Sequence, residues 1–369
     1  MQGLNHGAHG VHGAVEKKLS PCPTCTPWWM LFLAAILLSA CARAPQLHQR
    51  EAYVFGTRVE VSVWGESADK AQQALAAVLA EFDRLHRMLH AWQPSELTAL
   101  NAAIARGERA IAVSPELTFI LRDAAAIAAQ SDQSFNPAIG KLVALWGFHS
   151  DEFKPALPDP AAVDALVKAA PRMSDLAIAD NRVTSANRSV QLDLGGYAKG
   201  YALDRAAAIL RQMGANNALI NIGGNVMALG DKGGTPWRVG IQHPRAAVPL
   251  ATLDLRDGEA VGTSGDYQRY FELDGRRYCH LLDSRSGRPA EGTQAVTVLI
   301  APREGAGALS DAASKPLFIA GAAEWRGLAR RLGVEHALRI DGEGVMHVTA
   351  AFRQRLTMLA SDVRIGVEP

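Results

Sequence analysis

The sequence is poor in the features that settle function at a glance. Only four of its 369 residues are cysteine, and aromatic residues make up 6%. Cys22 and Cys25 form a CxxC, a spacing shared by redox and zinc sites. Both precede a short apolar run that processing would remove, and Cys41 sits at its end. With Cys41 modified, Cys279 has no partner, so no disulfide frame is available and a large apolar core must hold the fold. Charge of either sign is not in excess: the net charge is +1, which gives no reason to expect nucleic-acid binding. There is no acidic tail, heptad array, internal repeat or long low-complexity tract. Neither a Walker loop nor the dinucleotide fingerprint occurs. The one long apolar run, WWMLFLAAILLSA from Trp28 to Ala40, falls short of the roughly 20 residues of a comfortable membrane span.

That run is instead built like a signal-peptide core, with Lys17 and Lys18 ahead of it. Leu38-Ser39-Ala40-Cys41 resembles a bacterial lipobox, in which the cysteine receives the lipid. A membrane-spanning or buried N-terminal helix is the rival reading. Residues 1–40 therefore read as leader and lipoprotein signal peptide, 41–51 as a polar tether, and 52–369 as the folded domain. The expected location is the periplasmic face of the bacterial cytoplasmic membrane, reached through a lipid anchor on Cys41.

Apolar residues make up 48% of the chain and charged residues 20%, an ordinary globular balance. Tyr53 to Trp64 alternates as one or two strands around Gly56. Ala68 to Leu89 carries Ala71, Leu75, Val78, Leu79, Phe82, Leu85 and Leu89 on one helical face. Ser95 and Ser114-Pro115 read as helix starts. Further helices are expected over Pro158–Ala169, Ala306–Ala320 and Glu324–Leu332. Strands are expected over Ala218–Ile222, Trp237–Ile241, Leu250–Leu255, Ala260–Thr263 and Ala295–Ala301, with Asp274-Gly275 as a hairpin turn. Helices dominate early and strands late, which is α+β rather than a βαβ repeat.

The stretch QLDLGGYAKGYALD, Gln191 to Asp204, holds the densest chemistry. It reads as a strand end at Val190 and Leu192, a glycine turn and a helix start. Glycines allow close approach of a ligand, and the first helical turn offers N–H groups to anions. Asp193 and Lys199 flank the turn. A nucleotide held through its phosphates suits that arrangement, although an ordinary strand-to-helix turn has the same letters.

Four other stretches join it in order: AWQPSELTALN, SFNPAIGKLVALWGF, NIGGN and TSGDYQRYFELDGRRYCHLLDSRSGRP. Together they resemble the ApbE family of FAD:protein FMN transferases, across nearly all of the chain after the tether. The resemblance implies a two-lobed, T-fold-like α+β domain with FAD in the cleft between lobes. It implies transfer of FMN from FAD to a Thr hydroxyl of an acceptor protein, with release of AMP and with Mg2+ at the diphosphate. Acceptors in the family resemble subunits of quinone reductases and Rnf-type complexes. Carried over by residue, Phe55 and Trp92 lie at the flavin. Ser134, Phe135 and Asn136 form a loop touching the cofactor, and Asp193 and Lys199 contact FAD. His280 and Leu281 lie near the diphosphate, with Asp283 closing the His-x-x-Asp segment. Asp311 is the principal metal carboxylate and the Gly196 carbonyl a second metal ligand. His280 and Asp311 are the catalytic candidates.

Bland readings stand beside these. Trp92 and Phe135 also read as core residues, His280 as a structural hydrogen-bonding residue, and Asp311 as a helix N-terminal acid beside Ser310. One departure bears on activity. The family has Thr four residues after the metal carboxylate, and here that position is Lys315. Ser314, next to it, is the substitute oxygen ligand. A FAD-binding lipoprotein with little or no transfer activity, or a FAD diphosphate hydrolase, is the alternative function.

Lipidation is open to direct test. Wild-type protein expressed with labelled palmitate should carry the label, and Cys41→Ser should not, because the thioether forms only at that sulfur. A labelled Cys41→Ser protein, or an unlabelled wild type, would refute the lipobox reading.

Overall fold

Apolar residues alternate along Thr57–Trp64, so Val59, Val61 and Val63 share one face, and all three are fully buried. This strand, β2, pairs antiparallel with β1 (Leu47–Val54). Their turn is Phe55-Gly56, and both residues have positive φ, 57° and 67°. Glycine adopts such a φ freely, whereas at a phenylalanine it stores strain of about 1–3 kcal/mol.

The computed structural model describes residues 45–150, 152, 154–360 and 363–368. The leader, the lipobox and Cys41 lie outside the described residues. The polar stretch read as a tether to Glu51 is shorter than expected, because β1 already begins at Leu47. β1 is the edge of its sheet. Edge strands carry charged and polar side chains that discourage further pairing, so their sequences look like linkers.

Between β2 and β3 (Ala218–Ile222) the chain makes its main helical excursion. The helices are α1 (Ala68–Leu89), α2 (Glu96–Arg106), α3 (Pro115–Gln130), α4 (Gly140–Leu145), α5 (Pro160–Ala169) and α6 (Ala198–Gln212). Helix α1 has the predicted bounds and buries the predicted stripe except Leu79, which is half-buried at the edge of that face. Ser95 closes a capping box with Thr98 at the start of α2, and Ser114 caps α3 ahead of Pro115.

The strands that follow are β4 (Asn225–Leu229), β5 (Ala260–Gly265), β6 (Thr293–Ile300), β7 (His336–Asp341), β8 (Met346–Thr349) and β9 (Ile365–Glu368). Together β1 to β9 form a nine-stranded sheet in which every strand lies beside its predecessor. The pairs are antiparallel except β8 with β9. Helices α7 (Ala306–Ile319) and α8 (Gly321–Arg331) lie between β6 and β7. One face of the sheet packs on α1, α6 and α7 in the main core. The other packs on a three-stranded sheet of Trp237–Gln242, Pro249–Leu255 and Leu356–Met358. β6 is buried at every position, as a strand covered on both faces must be. A third cluster joins α4 and α5 to the hairpin of Tyr270–Leu273 and Arg276–Cys279, through Leu142, Trp146, Val163, Phe271 and Leu282. It forms the smaller lobe of this α+β fold.

The strand end expected at Val190–Leu192 is absent. Gln191 makes a single bridge to Ile139. The Leu192 backbone is satisfied instead by one side chain: the Asn101 amide donates to Leu192 O at 2.9 Å and accepts from Leu192 N at 2.7 Å. An asparagine amide offers the same donor and acceptor pair as a neighbouring strand, so no strand is required.

Helix α7 is seated on β5 without a gap. A Cβ added at Gly262 would lie 2.0 Å from the Ser310 carbonyl oxygen. Gly262→Ala should therefore force α7 off the sheet and destabilise the fold by about 1–3 kcal/mol. A urea midpoint equal to that of the wild type would contradict this seating.

Candidate active site

Helices α6 and α7 run antiparallel and touch at glycines. A Cβ on Gly200 would lie 2.2 Å from Gly307 O and 2.7 Å from Asp311 Cβ, and one on Gly307 would lie 2.4 Å from Gly200 O. At this separation each helix reaches the N-terminal end of the other. The Asp204 carboxylate accepts from the N–H groups of Gly307 and Ala308, both at 2.8 Å. The Asp311 carboxylate accepts from Gly200 N–H at 3.0 Å through Oδ2. Both satisfy helix-end donors and complement the helix dipole. Burial lifts the Asp204 carboxyl to about 6 in spite of its two bonds. Burial alone would raise Asp311 too, but the Lys315 and Lys199 ammonium groups and Gly200 N–H outweigh it and hold the carboxyl below its ordinary range.

One turn beyond Asp311, Lys315 folds back along α7. Its ammonium donates to Asp311 Oδ1 and, at 2.7 Å, to the Asp311 carbonyl. The stem runs against the glycine turn: a Cβ on Gly196 would lie 3.3 Å from Lys315 Cε and 3.7 Å from the Phe135 ring. Ser314 points elsewhere. Its hydroxyl lies 2.7 Å from Ser264 Oγ on β5 and donates to the Asp311 carbonyl at 2.8 Å.

The loop after α3 is locked beside this turn. Asp193 N donates to Pro137 O at 2.8 Å, and Gly140 N to Gln191 O at 2.7 Å. Asn136 is spent on the loop itself, its amide donating to Pro171 O at 2.9 Å and its Oδ1 accepting from Ala138 N at 3.1 Å. Asp193 Oδ1 accepts from Gly195 N at 2.8 Å. Burial pushes the Asp193 carboxyl up, and Gly195 N–H, Arg269, Trp92 and His90 offset that only in part. Aromatic rings continue outward from Asp193. Trp92 lies 5.5 Å from His149, His90 lies 5.1 Å from His86, and His86 lies 5.7 Å from Phe55.

His280 closes the site from the smaller lobe. Its Nδ1 lies 3.1 Å from the Arg269 carbonyl. A carbonyl only accepts, so Nδ1 carries the hydrogen and Nε2 presents a lone pair. Burial, then the charges of Arg269, Lys199 and Lys315, push this imidazole down to about 3. The Arg269 guanidinium is held by the carbonyls of Phe148, at 3.2 Å, and Ser150, at 3.0 Å.

A model of the ApbE family matches residues 55–338. The chain belongs to the ApbE family. A FAD:protein FMN transferase of Rhodobacter capsulatus is 44% identical over 82% of this chain, which spans 57% of that relative's length. One from Salmonella typhimurium is 31% identical, covering 89% of this chain and 96% of the relative. Among solved structures, the ApbE protein of Thermotoga maritima superposes with a TM-score of 0.75 at 30% identity, over 84% of this chain and 99% of that one. The apo flavinyl transferase ApbE of Pseudomonas stutzeri gives 0.72 at 29% identity, over 84% and 97%.

Within this ApbE fold the predicted residues separate into groups. Phe135, Gly196, Lys199, His280, Asp311 and Lys315 converge, and Asp193, Trp92 and Phe55 extend the same surface. Ser134 stands at the start of the loop, half-buried. Leu281 is a core residue, 4% exposed. Asp311 is no cap of its own helix, since α7 starts five residues earlier. The first turn of α6, offered by the sequence to ligand phosphates, already faces the Asp311 carboxylate. Arg269 escaped sequence reading although it lies inside a matched stretch, because nothing local marks its contacts with residues 148 and 150.

Magnesium is the implied metal, and it needs hard oxygen donors around an open position. Here one oxygen of Asp311 holds an ammonium and the other an N–H, and the Ser314 hydroxyl is turned to Ser264. Among the described residues no three His, Cys, Asp or Glu side chains group as a metal site. This donor set does not fit a magnesium ion.

The unfolded chain takes up a proton at histidine near pH 6.5, whereas folded His280 takes it up at about 3. The neutral ring is thus favoured by folding, and stability from His280 is lost as pH falls from the first value towards the second. Its ring-carbon resonance should stay flat through the upper part of that window, and His280→Gln should flatten the acid slope of stability. An inflection near the ordinary histidine value would refute the buried, cation-flanked environment.

Proposed function

We propose that the chain moves FMN from FAD to a threonine hydroxyl of an acceptor protein and releases AMP. The observation that carries this is the gathering of Lys199, Lys315, Arg269 and a neutral His280 beside a ring-lined surface. The threonine oxygen forms a bond to the FMN phosphorus while the bond to the AMP phosphate breaks, and its electron pair leaves with AMP. Charge moves onto the leaving phosphate, so fixed cations lower the barrier. The hydroxyl proton has an acceptor in Nε2 of His280. A base held so low is weak, but an anionic diphosphate set against Arg269, Lys199 and Lys315 would cancel the charges that depress it. No step is assigned to magnesium.

The acceptor would be a protein subunit like those of quinone reductases or Rnf-type complexes, met at the periplasmic face of the cytoplasmic membrane by a lipid-anchored enzyme. Pairing of Lys315 with Asp311 favours a second reading, in which FAD is held with little transfer. Incubating the protein with FAD and an acceptor domain separates the readings. Covalent flavin fluorescence on the acceptor band is expected. Free FMN instead would mean a hydrolase, and intact bound FAD a carrier.

Asp193→Ala and Lys199→Ala should each weaken FAD binding about tenfold or more, since a charged hydrogen bond contributes roughly 1.5–3 kcal/mol. Wild-type titration curves from both folded variants would place FAD elsewhere.

A further inference from the structure

We infer that Lys315 is a built-in cation that takes the place of a divalent metal at the diphosphate, so that this chain binds its substrate and transfers flavin without one. The inference rests on the transferase reading above and deepens it. Lys315 is fixed rather than free. Its ammonium is held by a carboxylate and a carbonyl of the same residue, four positions back on one helical face. Its side chain is only 14% exposed, and its partner's is fully buried. A lysine held at both ends and shielded from water has little rotamer freedom left to lose when an anion arrives. Its position is also where a metal would have to stand. It fills the space between the Asp311 carboxylate and Gly196, so an ion there would displace the ammonium or be repelled by it.

The substitute oxygen fails independently. Ser314 is fully buried, and its hydroxyl is committed to Ser264 and to the Asp311 carbonyl on the sheet side of α7. The helix immediately contains Pro316, which fixes the backbone after Lys315 and withholds an N–H that would otherwise bind Ala312 O. Charge is conserved in kind. Lys199, Lys315 and Arg269 together bring three positive charges to a site whose carboxylates are Asp193 and Asp311. The diphosphate meets a net cation without any ion from solution.

The test measures FAD affinity of the wild-type protein by flavin fluorescence quenching, in EDTA and in excess magnesium chloride. The two dissociation constants should agree within about twofold. Lys315→Thr frees Asp311 Oδ1, and its FAD affinity should become at least about tenfold tighter with magnesium than with EDTA. Lys315→Met keeps the stem and loses the charge, and should bind FAD about tenfold more weakly in both buffers. Should the variants misfold, the wild-type pair of titrations decides alone. A wild type whose affinity rises tenfold with magnesium, or which labels the acceptor only with magnesium, overturns the inference and leaves the transferase reading standing. Equal affinities in the two buffers with no labelled acceptor in either would instead sink the transferase reading and support the cation assignment.

Discussion

Two carboxylates crossed between two antiparallel helices hold the functional end of this molecule together. Asp204 of α6 closes the N-terminal end of α7, and Asp311 of α7 closes that of α6. Neither could do so across an ordinary helix–helix distance of 8–10 Å. Gly200 and Gly307 remove the side chains that would keep the axes apart. The same closeness brings Asp311 under the glycine turn that carries Asp193, Gly196 and Lys199. A buried carboxylate without partners would be strongly destabilising. Lys315 and the α6 N–H make Asp311 tolerable there, and Asp311 in turn fixes where the ammonium stands. Structure and electrostatics are therefore one arrangement, and neither can be altered without the other.

Seating is the second constraint. Gly262 admits α7 onto β5 at Ser310, and Ser264 bonds Ser314 one turn further along. These contacts fix the rotation of α7 about its axis. Ser314 is thereby turned to the sheet, and Asp311 and Lys315 are turned to α6. The loop after α3 is tied to the Asp193 stretch by three backbone bonds and carries Phe135 against Gly196. His280 comes from the smaller lobe, on a segment whose hairpin packs on α4 and α5 rather than on the main sheet. The site needs both lobes because Lys199 and Lys315 come from α6 and α7 while Arg269 and the neutral imidazole of His280 flank the hairpin.

Periodic features were the legible ones. The stripe of α1, the serine caps of α2 and α3, and the alternation of β2 depend on neighbours in sequence, and the sequence displays them directly. Asp193, Gly196, Lys199, His280 and Asp311 could be picked out because their stretches resemble a family. What could not be read was direction. The letters SDAASKP do not say that Ser314 faces β5 while Lys315 faces Asp311, since that depends on Gly262 lying beneath Ser310. Nor do they say that the anion awaiting the first turn of α6 comes from another helix of the same chain. β1 was misread for the same reason: an edge strand is defined by the partner it lacks on one side, and its own residues are those of a linker.

The polarity of the site follows from these placements. At one end stand rings, Phe55, His86, His90 and Trp92, with Phe55 held at a positive φ in a tight turn. Strain of that kind persists only where the surroundings enforce it, and here Phe82 and His86 pack against the ring. At the other end stand Lys199, Lys315 and Arg269 around a neutral His280. A flat apolar group joined to a diphosphate matches that gradient, and a bare phosphate or a bare ring matches only half of it. Arg269, Lys199 and Lys315 depress His280 even with the Asp193 and Asp311 carboxylates beside them. An arriving anion would relieve the imidazole and the ammonium groups together, so binding and the readiness of His280 to accept a proton are coupled through the same cations.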